Sequence, residues 1–394
     1  MRLVVVGCGV IGLATARAAM RTDSSLEVVL IDKELGLARH QSSHNSGVVH
    51  AGLYYEPGSL KAELCRRGAG LMREYCRENR LPYEECGKLV VATAPAELQR
   101  LERLEERATA NGVPGLRRLD AMGIAEVEPH VRGLAALHSP ATAITDFAAV
   151  ADALGAEIRD RGGEIRLGAE VRAVRREGPG AIIALAGGET VSADRAIVCA
   201  GLQSDRIARE SGEPVEPAIV PFRGGYWRFE GWSAELVKGL IYPVPDPSLP
   251  FLGVHLTRTF DRGLLAGPSA LLSPSREGYD GLRPNRRDLA EALRWPGSWK
   301  LFKRHWRAGV GELRRAASKR AFIAEARSYV PELRSEDVVG AEVGIRAQAV
   351  DRDGTLVDDF RLGGDGTILW VRNAPSPGAT SSLAIGEELA SRLG

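Results

Sequence analysis

LVVVGCGVIGLATARAAM, residues 3–20, decides how the chain begins to fold. Leu3 to Val6 form a short apolar, β-branched run, the pattern of a strand buried on both faces. Gly7, Gly9 and Gly12 then spell G-x-G-x-x-G, and an alanine-rich helix follows. A second strand-like run, EVVLID (27–32), ends at Asp32 beside Lys33. Strand, glycine turn, helix and acid-terminated strand are the parts of a dinucleotide-binding βαβ unit.

Each part has a physical task. Gly7 permits the tight turn, Gly9 lets phosphate approach the backbone, and Gly12 lets helix and strand touch. The helix start at Val10 and Ile11 offers backbone N–H groups and a partial positive charge to a pyrophosphate. Asp32 is placed to accept hydrogen bonds from ribose hydroxyls.

Outward from this unit, 394 residues exceed what one core usually serves, so two domains are expected. With 44% hydrophobic and 26% charged residues the composition is that of a globular protein. A net charge of +1 gives no electrostatic case for nucleic acid. Five cysteines, none in a C-x-x-C pair, argue against a zinc site or a disulfide framework, and no metal is expected. They fit a reducing cytoplasm. Met1 and Arg2 lead straight into the first strand, so no signal peptide is read. No apolar stretch approaches the roughly 20 residues that span a bilayer.

Amphipathic helices are expected over 59–79, 96–112 and 146–163, the last with Phe147, Val150, Leu154 and Ile158 on one face. Short strands follow at EIRLG (164–168), EVRAV (170–174, containing Val171) and AIIAL (181–185). RAIVCAG (195–201) reads as a returning core strand whose Ala200 and Gly201 meet the nucleotide. Residues 216–334 gain prolines and strand-like runs and predict a separate, mostly antiparallel unit.

NAD and FAD enzymes both begin this way. FAD must also be held at its ring, often by a second helix N-terminus. PSPGATSSLAIGEEL (375–389) supplies a turn at Gly378 and Ala379, then Thr380, Ser381 and Ser382, then an apolar helix. Its N–H groups would stabilise negative charge on a reduced flavin. An ordinary capped terminal helix reads the same in isolation; paired with the opening motif, it favours flavin.

HQSSHNSGVVHAGLYY (40–55) packs three of the seven histidines and two tyrosines among serines and glycines. Together with HNSGVVHAGLYYEPGSLKAELC (44–65), GGEI (162–165), PFRGGYWRF (221–229), LIYPVPDPSLPFLGVHLTR (240–258), GIRAQAV (344–350) and NAPSPGATSSLAIG (373–386), it resembles the L-2-hydroxyglutarate oxidases and dehydrogenases. These are FAD enzymes of the D-amino-acid-oxidase-like superfamily. The resemblance runs from residue 3 to about residue 390.

That resemblance implies an α/β protein. A Rossmann-like FAD-binding domain of the glutathione-reductase type (1–85, 140–215, 335–394) would join a mostly antiparallel α+β substrate domain (86–139, 216–334). FAD, held non-covalently, would be wrapped by Ser42, Ser43, His44, Ser46 and Gly47. His50 would lie beside the flavin ring as the base that takes the hydroxyl proton, or would only orient substrate. Arg346 and Arg223 would grip the carboxylates of a hydroxydicarboxylate, with His255, Arg258, Tyr242 and Tyr54 as further pocket groups. An inter-domain ion pair is the competing role for Arg346. The acceptor of the electrons would be oxygen or a quinone. Two departures bear on the substrate, Gly225 where the family more often has an acid, and Ala143 where it has glycine. They leave open an amino acid or a specialised metabolite as substrate.

WPGSWKLFKRHWRAGVGELRRAASKR (295–320) sets Trp299, Phe302, Trp306 and Val310 near helical spacing among basic residues. A helix that buries this aromatic face is the first expectation. A peripheral contact with the inner face of the cell membrane is the alternative to a freely cytoplasmic protein.

Overall fold

A computed structural model describes residues 1–247, 252–279 and 283–393, so positions 248–251 of the 240–258 motif lie outside it. Apolar β1 (Arg2–Val6) runs parallel to β2 (Glu27–Ile31), joined by α1 (Val10–Thr22). β1 is buried from Leu3 onward, as its unbroken apolar run requires. On its other side lies Arg195–Val198, also parallel, and beyond that Ile368–Asn373. Glu164–Arg166 extends the β2 edge, and Arg361–Gly364 closes the opposite edge antiparallel. The six-stranded sheet therefore takes strands from both ends and the middle of the chain.

The terminal helix Ser382–Ser391 packs on α1 so closely that a Cβ at Gly386 would sit 2.6 Å from the Ala14 backbone. Small residues on both helices permit that approach, and it holds the last strand–turn–helix against the first. Helix Phe147–Asp160 covers the same core with Phe147, Val150, Leu154 and Ile158, all buried. The other two helices read from periodicity are Leu60–Glu78 and Pro95–Ala110. Strands Val171–Glu177, Gly180–Leu185 and Thr190–Ala193 form a small antiparallel sheet over the opposite face.

The second large sheet has nine strands and is almost wholly antiparallel, Lys88–Ala92 beside Leu240–Pro243 being its parallel pair. Ala218–Phe229 and Val338–Val350 are paired along nearly their full length and form its long axis. The latter strand falls in the 335–394 segment that the sequence assigns to the nucleotide-binding half, yet its hydrogen bonds lie in the antiparallel sheet.

Helix Pro296–Ala317 corrects one expectation. Trp295 and Leu301 face the core, but Trp299 and Trp306 are 59% and 60% exposed, and Val310 and Leu313 are also exposed. Trp295, just ahead of the helix, and Leu301 in its second turn dock on Val220, Phe222 and Val350, which leaves the Trp299 and Trp306 side outward. No helix among the described residues is long and apolar enough to cross a membrane.

Candidate active site

A cavity of about 730 Å³ runs from the β1–α1 turn to the meeting point of the two sheets. That size lies within the range of ligand pockets. At one end Gly7, Gly9, Val10, Ile11 and Gly12 line it, with Asp32 and Lys33 behind. Gly7 takes φ +105°, which L side chains avoid, and a Cβ there would lie 2.4 Å from the Cys199 carbonyl oxygen. A Cβ on Gly12 would fall 1.9 Å from the Gly7 carbonyl oxygen. No side chain caps the helix at Gly9, although the Val10 N–H donates to Ser42 Oγ at 3.0 Å. The helix start thus faces the cavity as a site for an anion.

Asp32 accepts from the Cys8 N–H at 2.6 Å and the Glu34 N–H at 2.9 Å, one bond per oxygen. A carboxylate offers about four lone-pair positions, so capacity toward a sugar remains. Lys33 pairs with Glu34 and with Glu277, the latter at 2.9 Å. Ser42, His44, Ser46, Val171, Ala200 and Gly201 line the cavity further along. His44 stacks on Tyr279 with ring centroids 4.0 Å apart.

At the far end the two chain termini close on each other. Gly378, Ala379 and Thr380 line the cavity opposite His50. The buried Thr380 hydroxyl accepts from the His50 N–H at 3.1 Å and donates to the Val48 carbonyl at 3.2 Å. This tie links residues 330 positions apart. Replacing Thr380 with valine, which removes both bonds, is expected to cost about 1–3 kcal/mol of stability. Urea denaturation of the holoprotein reads that effect; an unchanged midpoint would mean the tie adds nothing.

His50 is half-buried and its Nδ1 has no hydrogen-bond partner. Desolvation, and then the electrostatic influence of Lys88, His255, Lys61 and Arg346, hold its pKa well below the ordinary imidazole value. The imidazole is therefore neutral at physiological pH and able to accept a proton. Arg346 lines the cavity and shares a hydrogen bond with the Tyr226 hydroxyl. His255 stacks on Tyr242 at 3.9 Å, and burial brings its pKa down to about 3.

Several other positions fall elsewhere. Ser43 and Gly47 face a separate cavity of about 180 Å³, which they share with Ser42 and Ser46. Ser381 and Ser382 are fully buried behind the wall, their hydroxyls unpartnered. Arg223 is absent from the wall and donates to the Gly278 carbonyl at 2.8 Å. Strand residues alternate between faces, and Gly224 and Tyr226 take the cavity side of that strand. Arg258 lies away from the wall, 3.7 Å from Glu84. Tyr54, Tyr242 and His255 also stand behind the lining. By the same alternation Gly225 turns away, its N–H bonded to Ser269 Oγ, while Ala143 is buried in a strand beside Val49. Neither family departure touches the cavity.

Two contributors escape sequence inspection. Lys61 lines the cavity and binds the Asp358 carboxylate at 2.8 Å. Lys88 is 1% exposed at the head of an apolar strand. A lysine opening the run KLVVA is the available signal.

The cavity suits FAD by its own chemistry: an uncapped helix start, an acid at the end of β2, and a second turn–helix closing the far end. Comparison with known proteins agrees. The FAD dependent oxidoreductase family model matches residues 2–392. The mitochondrial L-2-hydroxyglutarate dehydrogenase of Nematostella vectensis is 45% identical over 98% of this chain and 89% of its own length. The L-2-hydroxyglutarate dehydrogenase of Indibacter alkaliphilus is 42% identical, covering 98% and 96%. The human mitochondrial L-2-hydroxyglutarate dehydrogenase is 41% identical, covering 99% and 88%. In fold, dithionite-reduced L-α-glycerophosphate oxidase from Mycoplasma pneumoniae with FAD bound superposes with TM-score 0.79 at 22% identity, over 100% and 94%. The chain belongs to the FAD dependent oxidoreductase family, and within it to the L-2-hydroxyglutarate dehydrogenases.

Proposed function

We propose that the protein oxidises L-2-hydroxyglutarate to 2-oxoglutarate, with His50 as the base. The observation that carries this is the tie between the His50 backbone N–H and Thr380, which sets the unpartnered His50 imidazole beside the Gly378–Thr380 turn in the cavity wall. FAD, when bound, supplies the acceptor for the hydride leaving the substrate's carbinol carbon. His50 takes the hydroxyl proton as the carbonyl forms, which balances the two-electron oxidation. Arg346 grips a substrate carboxylate through its planar fork. The groups that act electrostatically on His50 are Lys88, His255, Lys61 and Arg346, with no carboxylate among them. Arg346 and the protonated form of Lys88 favour an anionic substrate there.

Cys199 lines the cavity, but burial pushes its thiol up to about 12, so it stays protonated. That supports non-covalent FAD. Residues 1–85, 140–215 and most of 351–394 hold the cofactor in this reading, and the antiparallel sheet holds the substrate. Incubation with L-2-hydroxyglutarate and an artificial electron acceptor tests the reaction. One 2-oxoglutarate per two electrons delivered to the acceptor is expected; acceptor reduction without that product would refute the substrate.

Exposed Trp299, Trp306, Val310 and Leu313, with exposed Lys303, Arg304 and Arg307 beside them, support a peripheral membrane contact on the cytoplasmic side. There a quinone would take the electrons, oxygen being the alternative. Co-flotation with liposomes containing anionic lipid is expected, and Trp299→Ser with Trp306→Ser is expected to weaken it at least tenfold. A protein that stays at the bottom of the gradient would end the membrane contact.

A further inference from the structure

Lys88 occupies a place where lysine is rarely found. Its ammonium has no hydrogen-bond partner and no water-accessible surface. It stands 4.1 Å from the centre of the Tyr242 ring and 5.4 Å from that of Tyr54. Tyr242 is itself stacked on His255. Taking an ammonium out of water is expensive, and two ring faces repay part of that cost. No carboxylate enters its surroundings: the titratable groups acting on it are the thiols of Cys65 and Cys86. Burial holds both thiols protonated, each pushed up to about 12.

We infer that Lys88 is a positioning residue for the oxidation: its ammonium, caged between Tyr242 and Tyr54 of the segment that carries His50, sets the electrostatic environment in which that base meets the substrate. The inference rests on His50 acting as the base proposed above. Lys88 comes first among the groups that disfavour protonated His50, ahead of His255, Lys61 and Arg346. These four groups come from four different elements: the strand Lys88–Ala92, the strand His255–Arg258, the helix Leu60–Glu78 and the strand Val338–Val350. Lys61 is already paired with Asp358, which weakens its field, and His255 is neutral. Lys88 has no such counter-ion among the described residues. With no water around it, its field is poorly screened.

The sign of the effect follows. Burial lowers the Lys88 pKa to about 7. As pH falls below that value, Lys88 takes a proton, and its new charge makes a second proton on His50 costly. The base thus stays usable further into the acid range than an isolated imidazole would. Above pH 7 Lys88 becomes neutral and its influence fades.

The test is the acid side of the pH dependence of anaerobic flavin reduction, in wild type, Lys88→Met and Lys88→Gln. Removing the charge is expected to move the acid midpoint upward by on the order of one pH unit. The deficit relative to wild type should grow as pH falls and shrink above pH 7. Lys88→Arg, which keeps a charge, should return the midpoint toward the wild-type value. Holoenzyme with isotopically labelled histidine gives a second readout without substrate, the NMR titration of His50, assigned with His50→Gln. Its midpoint should lie well below 6.5 in wild type and rise in Lys88→Met. A wild-type His50 that titrates near 6.5 would overturn the inference even if no variant folds. So would a uniform loss of rate with an unmoved midpoint, which would leave Lys88 a packing residue. If L-2-hydroxyglutarate fails to bleach the wild type, the substrate is wrong, yet the His50 titration still decides the role of Lys88.

Discussion

Flavin reduction by L-2-hydroxyglutarate in His50→Gln is expected to slow by roughly 10³-fold, while the yellow cofactor stays bound. That loss corresponds to about 4 kcal/mol of transition-state stabilisation. Glutamine matches much of the imidazole's volume and can hydrogen-bond, but it cannot accept a proton at any useful pH. The His50 N–H that holds Thr380 is a backbone group and survives the substitution. Cofactor retention should therefore change little, as read from the absorbance ratio of protein to flavin. The rate, read by anaerobic stopped flow, should collapse. A His50 that merely orients substrate would give a loss under tenfold, concentrated in KM.

Arg346→Met is the second large effect, with kcat/KM for the dicarboxylate falling roughly 10²- to 10³-fold. Arg346 stands opposite Phe222 in the long two-strand pairing, and its guanidinium meets the Tyr226 hydroxyl at the cavity wall. Methionine keeps the unbranched apolar stem but removes the fork. Arg346→Lys should recover only part of the loss, because an ammonium cannot bind a carboxylate at two points. Steady-state kinetics with an artificial acceptor measure both variants. A loss below tenfold in Arg346→Met would move substrate recognition to another residue.

The six-stranded sheet and its glycine turn are legible because local chemistry dictates them. The turn at Gly7, the contact at Gly12 and the acid at Asp32 are demands made within 30 residues, and each leaves a fixed residue type. The terminal turn is legible for the same reason, and the Thr380 tie is where the two local signals meet. The antiparallel sheet is harder. Whether Arg223 or Arg346 reaches the cavity depends on the register between strands more than a hundred positions apart, and a one-residue difference reverses the face. Arg258 likewise lies off the cavity lining, at the end of a short strand whose neighbours decide its direction. The aromatic helix shows the same limit: periodicity finds its apolar side, but docking at Trp295 and Leu301 leaves Trp299 and Trp306 exposed. Lys88 is hidden because a strand of this burial ordinarily excludes a charge.

Mixing the oxidised protein anaerobically with L-2-hydroxyglutarate, its D enantiomer, malate and glutamate tests the central claim most directly. Rapid, complete bleaching of the flavin by L-2-hydroxyglutarate is expected, with at least a hundredfold slower reduction by the other three. No bleaching by L-2-hydroxyglutarate, or faster bleaching by glutamate, would contradict it.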